Sequence, residues 1–253
     1  MELRKAAEEF VSYLQKSQFT VSLTGAGVST ASGIPDFRGP NGLYKRLPNN
    51  IFDLEFFKNN PDKYYELTFD LVHSFDEKQP STTHKMLSRL EKEGYLKAVI
   101  TQNIDGLHQK AGSNNVVELH GNTSRFLCLK CGKSYSKNDL IKILEKQNPP
   151  KCNCGGLIKP DVVFFGEMLP MDAINKAEKL SINAELFIAL GTSLVVYPAA
   201  QFPLISKRNG SKLIIINKGE SGLDSIADEK IDGDLEEFSR HIMQLLDEEQ
   251  HIS

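Results

Sequence analysis

The stretch Thr20–Gly39, TVSLTGAGVSTASGIPDFRG, constrains the fold more than any other part of the chain. Val21 and Leu23 lie in an apolar, β-branched run that reads as a buried strand, and Gly25 and Gly27 follow directly. A strand ending in a glycine loop suits a dinucleotide pyrophosphate: glycines allow close backbone approach, and unpaired amides at a helix N-terminus point at the anion. Glycine pairs also close ordinary turns. Here Pro35, Asp36, Phe37 and Arg38 place a carboxylate, an aromatic ring and a guanidinium just beyond the loop, a combination that a mere connection rarely collects.

At 253 residues, 40% hydrophobic and 25% charged, the chain buries a full core as one large α/β domain or as a large domain with a small insert. No apolar run approaches the length that crosses a bilayer, and the charged start Met1–Glu9 lacks the apolar stretch of a secretory signal, so a cytoplasmic location is expected. The net charge of −3 gives no global attraction to nucleic acid or to an anionic membrane.

The helical spacing of Leu3, Ala6, Ala7, Phe10, Val11 and Leu14 predicts an amphipathic helix over 2–16 that covers a sheet. Residues 42–80 carry Phe52, Phe56, Phe57, Tyr64, Tyr65, Phe69 and Phe75 and read as short helices and loops with mostly core aromatics. A helix over 82–93 ends at Gly94. The strand Leu96–Thr101 runs into Gln102-Asn103-Ile104-Asp105-Gly106, and Val116–Leu119 delivers His120-Gly121. Polar tips at the carboxyl ends of parallel strands are where open α/β sheets bind ligands. Taken singly, Asn103 and Asp105 read first as turn or cap residues, and a lone histidine at a strand end is more often structural; His73, His84, His108, His241 and His251 are placed in that class. His120 stands apart because imidazole exchanges protons near neutral pH and sits with the other tips.

All four cysteines fall in one segment, Cys128-x-x-Cys131 and Cys152-x-Cys154. Without a secretion signal, clustered pairs argue for a metal over disulfides, and four thiolates make a closed, structural zinc site. The one-residue spacing of the second pair is shorter than usual, and free thiols are the alternative. A short helix is expected over 139–147, between the pairs, and the surrounding lysines read as a solvated face. Ile158–Phe165 reads as the resumption of the main sheet, Glu185–Leu190 stops at Gly191-Thr192-Ser193, Lys212–Ile216 stops at Asn217, and Asp234–Leu246 forms a last amphipathic helix. Recurring strand, polar tip and helix give an α/β fold: a doubly wound, parallel, Rossmann-like sheet over 1–40, 81–120 and 158–253. A smaller domain is built from the helical insert 41–80 and the zinc module 121–157.

GAGVSTASGIPDFRG, TQNIDGLH, ELHG, the two cysteine pairs, VVFFGE, GTSLVVYPAA and IIINK, in that order over about Leu3–Leu246, resemble the motifs of the sirtuins, the NAD-dependent protein deacylases. The resemblance implies that Gly25, Ala26, Gly27, Thr30, Asp36, Phe37 and Arg38 contact NAD. Gln102 and Asn103 would face the nicotinamide-side ribose, Ile104 and Asp105 the carboxamide, Gly191, Thr192, Ser193 and Asn217 the phosphates and adenosine ribose, and Ile231 the adenine. His120 matches the general base, with Asn103 beside it in catalysis. An acetyl-lysine protein or peptide would add as a strand between Val163-Phe164-Phe165-Gly166 and Leu194-Val195-Val196-Tyr197. Transfer of the acyl group to the ribose would give free lysine, nicotinamide and 2′-O-acyl-ADP-ribose, with zinc purely structural. Tyr64 and Tyr65 are followed three residues on by Leu67 and Thr68, not by an arginine that would hold an acidic acyl group, so uncharged acyl groups are favoured. Mono-ADP-ribosyl transfer, a nicotinamide-linked dehydrogenase and a noncatalytic NAD-binding module are the rival readings. Thr30 in the last glycine position of G-x-G-x-x-G weighs against the dehydrogenase. The chain is expected to be a monomer, with no membrane partner and with nucleic acid not expected as a primary one.

Overall fold

The run Thr20–Thr24 is a strand with every residue buried, as a parallel strand covered on both faces must be. A computed structural model describes residues 2–37, 39 and 42–250; Arg38 and His251 lie outside the described residues. In chain order the elements are α1 (Glu2–Lys16), β1 (Thr20–Thr24), α2 (Leu54–Asn59), α3 (Pro61–Val72), α4 (Thr82–Lys92), β2 (Ala98–Thr101), α5 (Leu107–Lys110), β3 (Val116–Glu118), β4 (Gly121–Cys128), β5 (Ser134–Ser136), α6 (Lys137–Leu144), β6 (Ile158–Val162), α7 (Met171–Asn183), β7 (Leu186–Leu190), α8 (Gln201–Arg208), β8 (Lys212–Ile216), β9 (Glu229–Ile231) and α9 (Leu235–Gln250).

Among the described residues the main sheet has the order β3-β2-β1-β7-β8-β9, and every pairing in it is parallel. The chain leaves β1 for β2 and β3 on one side and returns through β7, β8 and β9 on the other. The order therefore reverses between β1 and β7, whose ends Thr24 and Leu190 stand in register and open a crevice. Side-chain alternation splits the core. Leu186, Ile188 and Leu190 face α1, α4 and α9, where Phe10 meets Phe238 edge-on at 5.4 Å between centroids. Phe187 and Ala189 face the opposite side with Ala177 of α7 and Phe202 of α8. α4 starts at a reciprocal cap in which Ser81 and His84 each bond the other's backbone amide, which makes His84 structural, and Gly94 closes it at φ +85°.

The strand Ile158–Val162 does not rejoin the main sheet as the sequence suggests. It pairs antiparallel with β4, Ile158 opposite Cys128 and Pro160 opposite Phe126, in a second sheet of order β5-β4-β6. Its apolar alternation fits either sheet, and the choice is made by the distant partner β4. α2, α3 and α6 pack on this sheet through Phe57, Tyr64, Tyr65, Leu140 and Phe126, and the Tyr65 hydroxyl donates to the Ile158 carbonyl at 2.9 Å. The aromatics of the 42–80 segment thus mostly serve the small core. α6 begins two residues earlier than expected because Ser136 caps it: its hydroxyl accepts the Asp139 amide at 3.2 Å while the Asp139 carboxylate accepts the Ser136 amide at 3.1 Å.

Candidate active site

A cavity of about 810 Å³ lies at the β1/β7 crevice, between the two sheets. Its size falls in the ~300–1,000 Å³ range of small-molecule and cofactor sites. The glycine loop forms its floor, but not as a phosphate loop opening an α-helix. Ala26–Ser32 is a short 3₁₀ helix, and the Gly27 amide is already spent on the Gly191 carbonyl at 2.9 Å. A Cβ on Gly25 would stand 2.7 Å from the Gly191 oxygen, and one on Gly27 would stand 2.7 Å from the Gly191 Cα. These glycines therefore serve first to let the tips of β1 and β7 touch.

The β2 tip is bonded into that floor. Asn103 donates through Nδ2 to the Gly25 carbonyl and to Ser29 Oγ, both at 3.1 Å, so both its N–H groups are used and Oδ1 is left for a ligand. Ser29 in turn donates to Asp105 Oδ2 at 2.7 Å, while Asp105 Oδ1 accepts the Leu107 amide at 2.8 Å. Gln102 Nε2 donates to Thr192 Oγ1 at 2.9 Å and joins the tips of β2 and β7.

His120 projects from the end of β3. Its Nδ1 lies 2.9 Å from the Gln102 carbonyl, which only accepts, so Nδ1 carries the proton and Nε2 keeps a bare lone pair. Burial pushes the imidazole pKa below its ordinary value, and the bond to Gln102 partly opposes this, so the neutral, basic form is favoured. The next residue, Gly121, has φ +78°, and a Cβ there would sit 1.9 Å from the Asp161 carbonyl oxygen of β6. Glycine is required here because two strands press together directly behind the base.

Of the residues singled out in the sequence, Gly25, Ala26, Gly27, Asp36, Phe37, Gln102, Asn103, Ile104, His120, Gly191, Thr192, Ser193 and Asn217 line the cavity, as do Val163, Phe164, Phe165, Gly166 and Val196. Four others do not. Thr30 turns its hydroxyl back to the Gly27 carbonyl at 3.0 Å, Asp105 is buried beneath the floor, Ile231 is buried in the core beside Phe238, and Val195 is exposed outside. The Phe164 ring packs in the small core against Phe52, Phe57 and Tyr64, whereas Phe165 is half exposed. Tyr197 of the expected peptide segment and Lys218 beside Asn217 line the cavity too, and the sequence missed the apolar collar of Met168, Leu169 and Met171 and the rim residue Glu220. Met168, Leu169 and Glu220 lie in loops with no periodic pattern to reveal them, and Met171 is the first residue of α7.

The four cysteines converge. Their Sγ atoms all lie within 4.8 Å of one another, with Cys128–Cys154 at 3.5 Å and Cys131–Cys152 at 3.6 Å. A tetrahedral site with Zn–S bonds of ~2.3 Å separates its sulfurs by ~3.8 Å, so this donor set fits a closed zinc site.

The cavity also fits NAD: it is floored by glycines, carries the hydroxyls of Thr192 and Ser193 at a strand tip, and lies at the switch point of a parallel sheet. Comparison with known proteins agrees. The model of the Sir2 family matches residues 25–198. The NAD-dependent protein deacetylase of Thermotoga maritima is 50% identical over 238 residues, 94% of this chain and 97% of that protein. NAD-dependent protein deacetylase 1 of Pyrobaculum aerophilum is 50% identical over 232 residues, 91% of each. A solved Sir2 complex with a p53 peptide and NAD+ superimposes with a TM-score of 0.89 at 48% identity, covering 97% of this chain and 98% of that one. A Sir2Tm structure bound to a propionylated peptide superimposes with a TM-score of 0.88 at 47% identity, covering 95% and 98%. With a family model matching most of its length and half its residues shared with such relatives, this chain belongs to the Sir2 family.

Proposed function

We propose that the chain removes acyl groups, chiefly acetyl, from protein lysine side chains with consumption of NAD, and that His120 is its general base. The observation that carries this reading is the His120 tautomer: Nδ1–H is tied to the Gln102 carbonyl, and the bare Nε2 belongs to a cavity wall shared by the nucleotide-side loops and the 163–166 segment. NAD supplies an electrophilic ribose carbon with nicotinamide as leaving group. The chain's own residues do the rest. Ala26, Phe37, Gln102 and Ile104 bound the nicotinamide-side half of the cavity, with Asn103 presenting Oδ1. Thr192, Ser193 and Asn217 offer donors to phosphates and ribose, and Asp105 acts from below by holding Ser29 and hence Asn103. His120 Nε2 takes a ribose hydroxyl proton, and Phe37 and Phe165 shield the site from water.

The acylated peptide is held along 163–166 on one side and 195–197 on the other. Its backbone is recognised more than its sequence, as in strand addition. Among the described residues no helix is long and apolar enough to cross a membrane, and the four cysteines form no disulfide. Free thiols suit a reducing compartment, which favours a cytoplasmic enzyme.

Incubation with NAD and an acetyl-lysine peptide, followed by mass spectrometry, tests the reading. Deacetylated peptide, nicotinamide and O-acetyl-ADP-ribose are expected in equal amounts. ADP-ribosylated protein without peptide deacetylation would favour ADP-ribosyl transfer instead.

A further inference from the structure

Lysine is almost never fully buried unless paired, yet Lys159, in the middle of β6, is only 5% exposed. Its ammonium has three N–H donors, and each finds an acceptor: Glu167 Oε2 at 2.8 Å, the Val162 carbonyl at 2.5 Å and the Pro160 carbonyl at 3.2 Å. The charge also sits 4.0 Å from the centroid of the Phe164 ring. The Glu167 oxygen that receives Lys159 accepts the Phe164 amide as well, at 2.8 Å, and the Glu167 amide returns to the Phe164 carbonyl at 3.0 Å.

This pair sits under the segment on which the peptide would lie. The amides on either side of Phe164 are also committed, Val163 to the His120 carbonyl at 2.9 Å and Phe165 to the Phe52 carbonyl at 2.8 Å, and the Phe165 carbonyl accepts the Leu54 amide at 3.1 Å. Three successive amides are thus spent on the protein's own acceptors. The next residue, Gly166, lies in the cavity wall with φ +92°. A buried ion pair is weak evidence for stability, because apolar residues of the same volume often serve as well; fixing one geometry among several is its better-attested use.

We propose that Lys159 is a positioning residue for the acyl-peptide: through Glu167 it turns the Phe164 amide inward and so holds the Phe165 ring and the Gly166 backbone at the peptide edge. It touches neither NAD nor the reacting atoms. This rests on the deacylase reading above and adds to it how the peptide edge is fixed.

The test uses the zinc-loaded full chain and steady-state kinetics with an acetyl-lysine peptide. In Lys159→Met the peptide KM should rise about tenfold or more, the scale of one lost charge-assisted hydrogen bond, with kcat and the KM for NAD within about twofold of the parent. Lys159→Arg, which keeps charge and donors, should restore most of the loss. Should Lys159→Met not fold, as judged by circular dichroism and zinc content, Glu167→Gln takes its place. That variant should raise the peptide KM and speed hydrogen exchange over 163–168. A folded Lys159→Met or Glu167→Gln protein with an unchanged peptide KM would overturn the proposal. So would a loss confined to kcat, or Lys159→Arg as impaired as Lys159→Met. Absence of NAD-dependent deacetylation in the parent protein would instead refute the underlying reading before any variant is compared.

Discussion

Replacing Gly121 by alanine puts one methyl group where the structure has no room for it. The added Cβ would lie 1.9 Å from the Asp161 carbonyl oxygen and 3.2 Å from the Val162 Cα, both main-chain atoms that cannot rotate away. Ordinary van der Waals contact begins near 3.4 Å, so β4 and β6 would have to part by more than 1 Å. The left-handed backbone at φ +78° adds a separate cost, ~1–2 kcal/mol for a residue with a Cβ. That conformational cost alone lowers Tm by roughly 2–8 °C in a domain of this size, and the clash adds to it. His120 precedes the glycine, and its carbonyl holds the Val163 amide at 2.9 Å, so relief of the clash moves the base relative to the peptide segment. A misplacement of about 1 Å costs ~10²-fold in rate. Differential scanning fluorimetry and deacetylation kinetics on Gly121→Ala check both halves. A variant with parental Tm and kcat would refute the reasoning.

Four further outcomes are expected. His120→Asn should lower deacetylation ~10²–10⁴-fold with zinc content unchanged, and the acidic limb of the parent kcat/KM profile should fall below the ordinary histidine pKa of ~6.5 because burial favours the neutral ring. His84 is pushed down to about 4 by burial, whereas in the unfolded chain it takes a proton near ~6.5. Stability should therefore be complete above pH ~6.5 and decline toward pH ~4, this residue contributing about 3 kcal/mol of the loss in urea titrations, with a flatter dependence in His84→Gln. Elemental analysis should find one zinc per chain, and Cys152→Ser should lose it with a lowered Tm. In a peptide series, acetyl- and propionyl-lysine should be turned over well ahead of succinyl-lysine, because Leu67 and Thr68, not an arginine, stand three residues after Tyr64 and Tyr65.

The strands of the parallel sheet were legible because burial on both faces leaves continuous apolar runs, and the reversal between β1 and β7 then locates the crevice. The cysteine cluster was legible from spacing, and His120 from its place at a strand tip. What the sequence hid was long-range. The segment Ile158–Val162 alternates in a way that suits either sheet, and only its register with Phe126 and Cys128 assigns it. Asp105 looked like a ligand-facing carboxylate, but Ser29 and the Leu107 amide draw it beneath the floor. Lys159 carried no local signal, since its three acceptors come from a strand end and a turn that exist only after folding.

The contact of Gly25 and Gly27 with Gly191 has a consequence for redesign. A side chain on Gly27 or Gly191 would meet only main-chain atoms opposite, and one on Gly25 would meet the Gly191 carbonyl oxygen as well as Thr192 Cβ, so trimming a neighbouring side chain cannot make the room. The floor is in that sense a jointly saturated element, and neither loop can drift independently of the other. Variation at the rim, at Asn217, Lys218 and Glu220, leaves the β1/β7 joint intact and is the place to alter nucleotide preference.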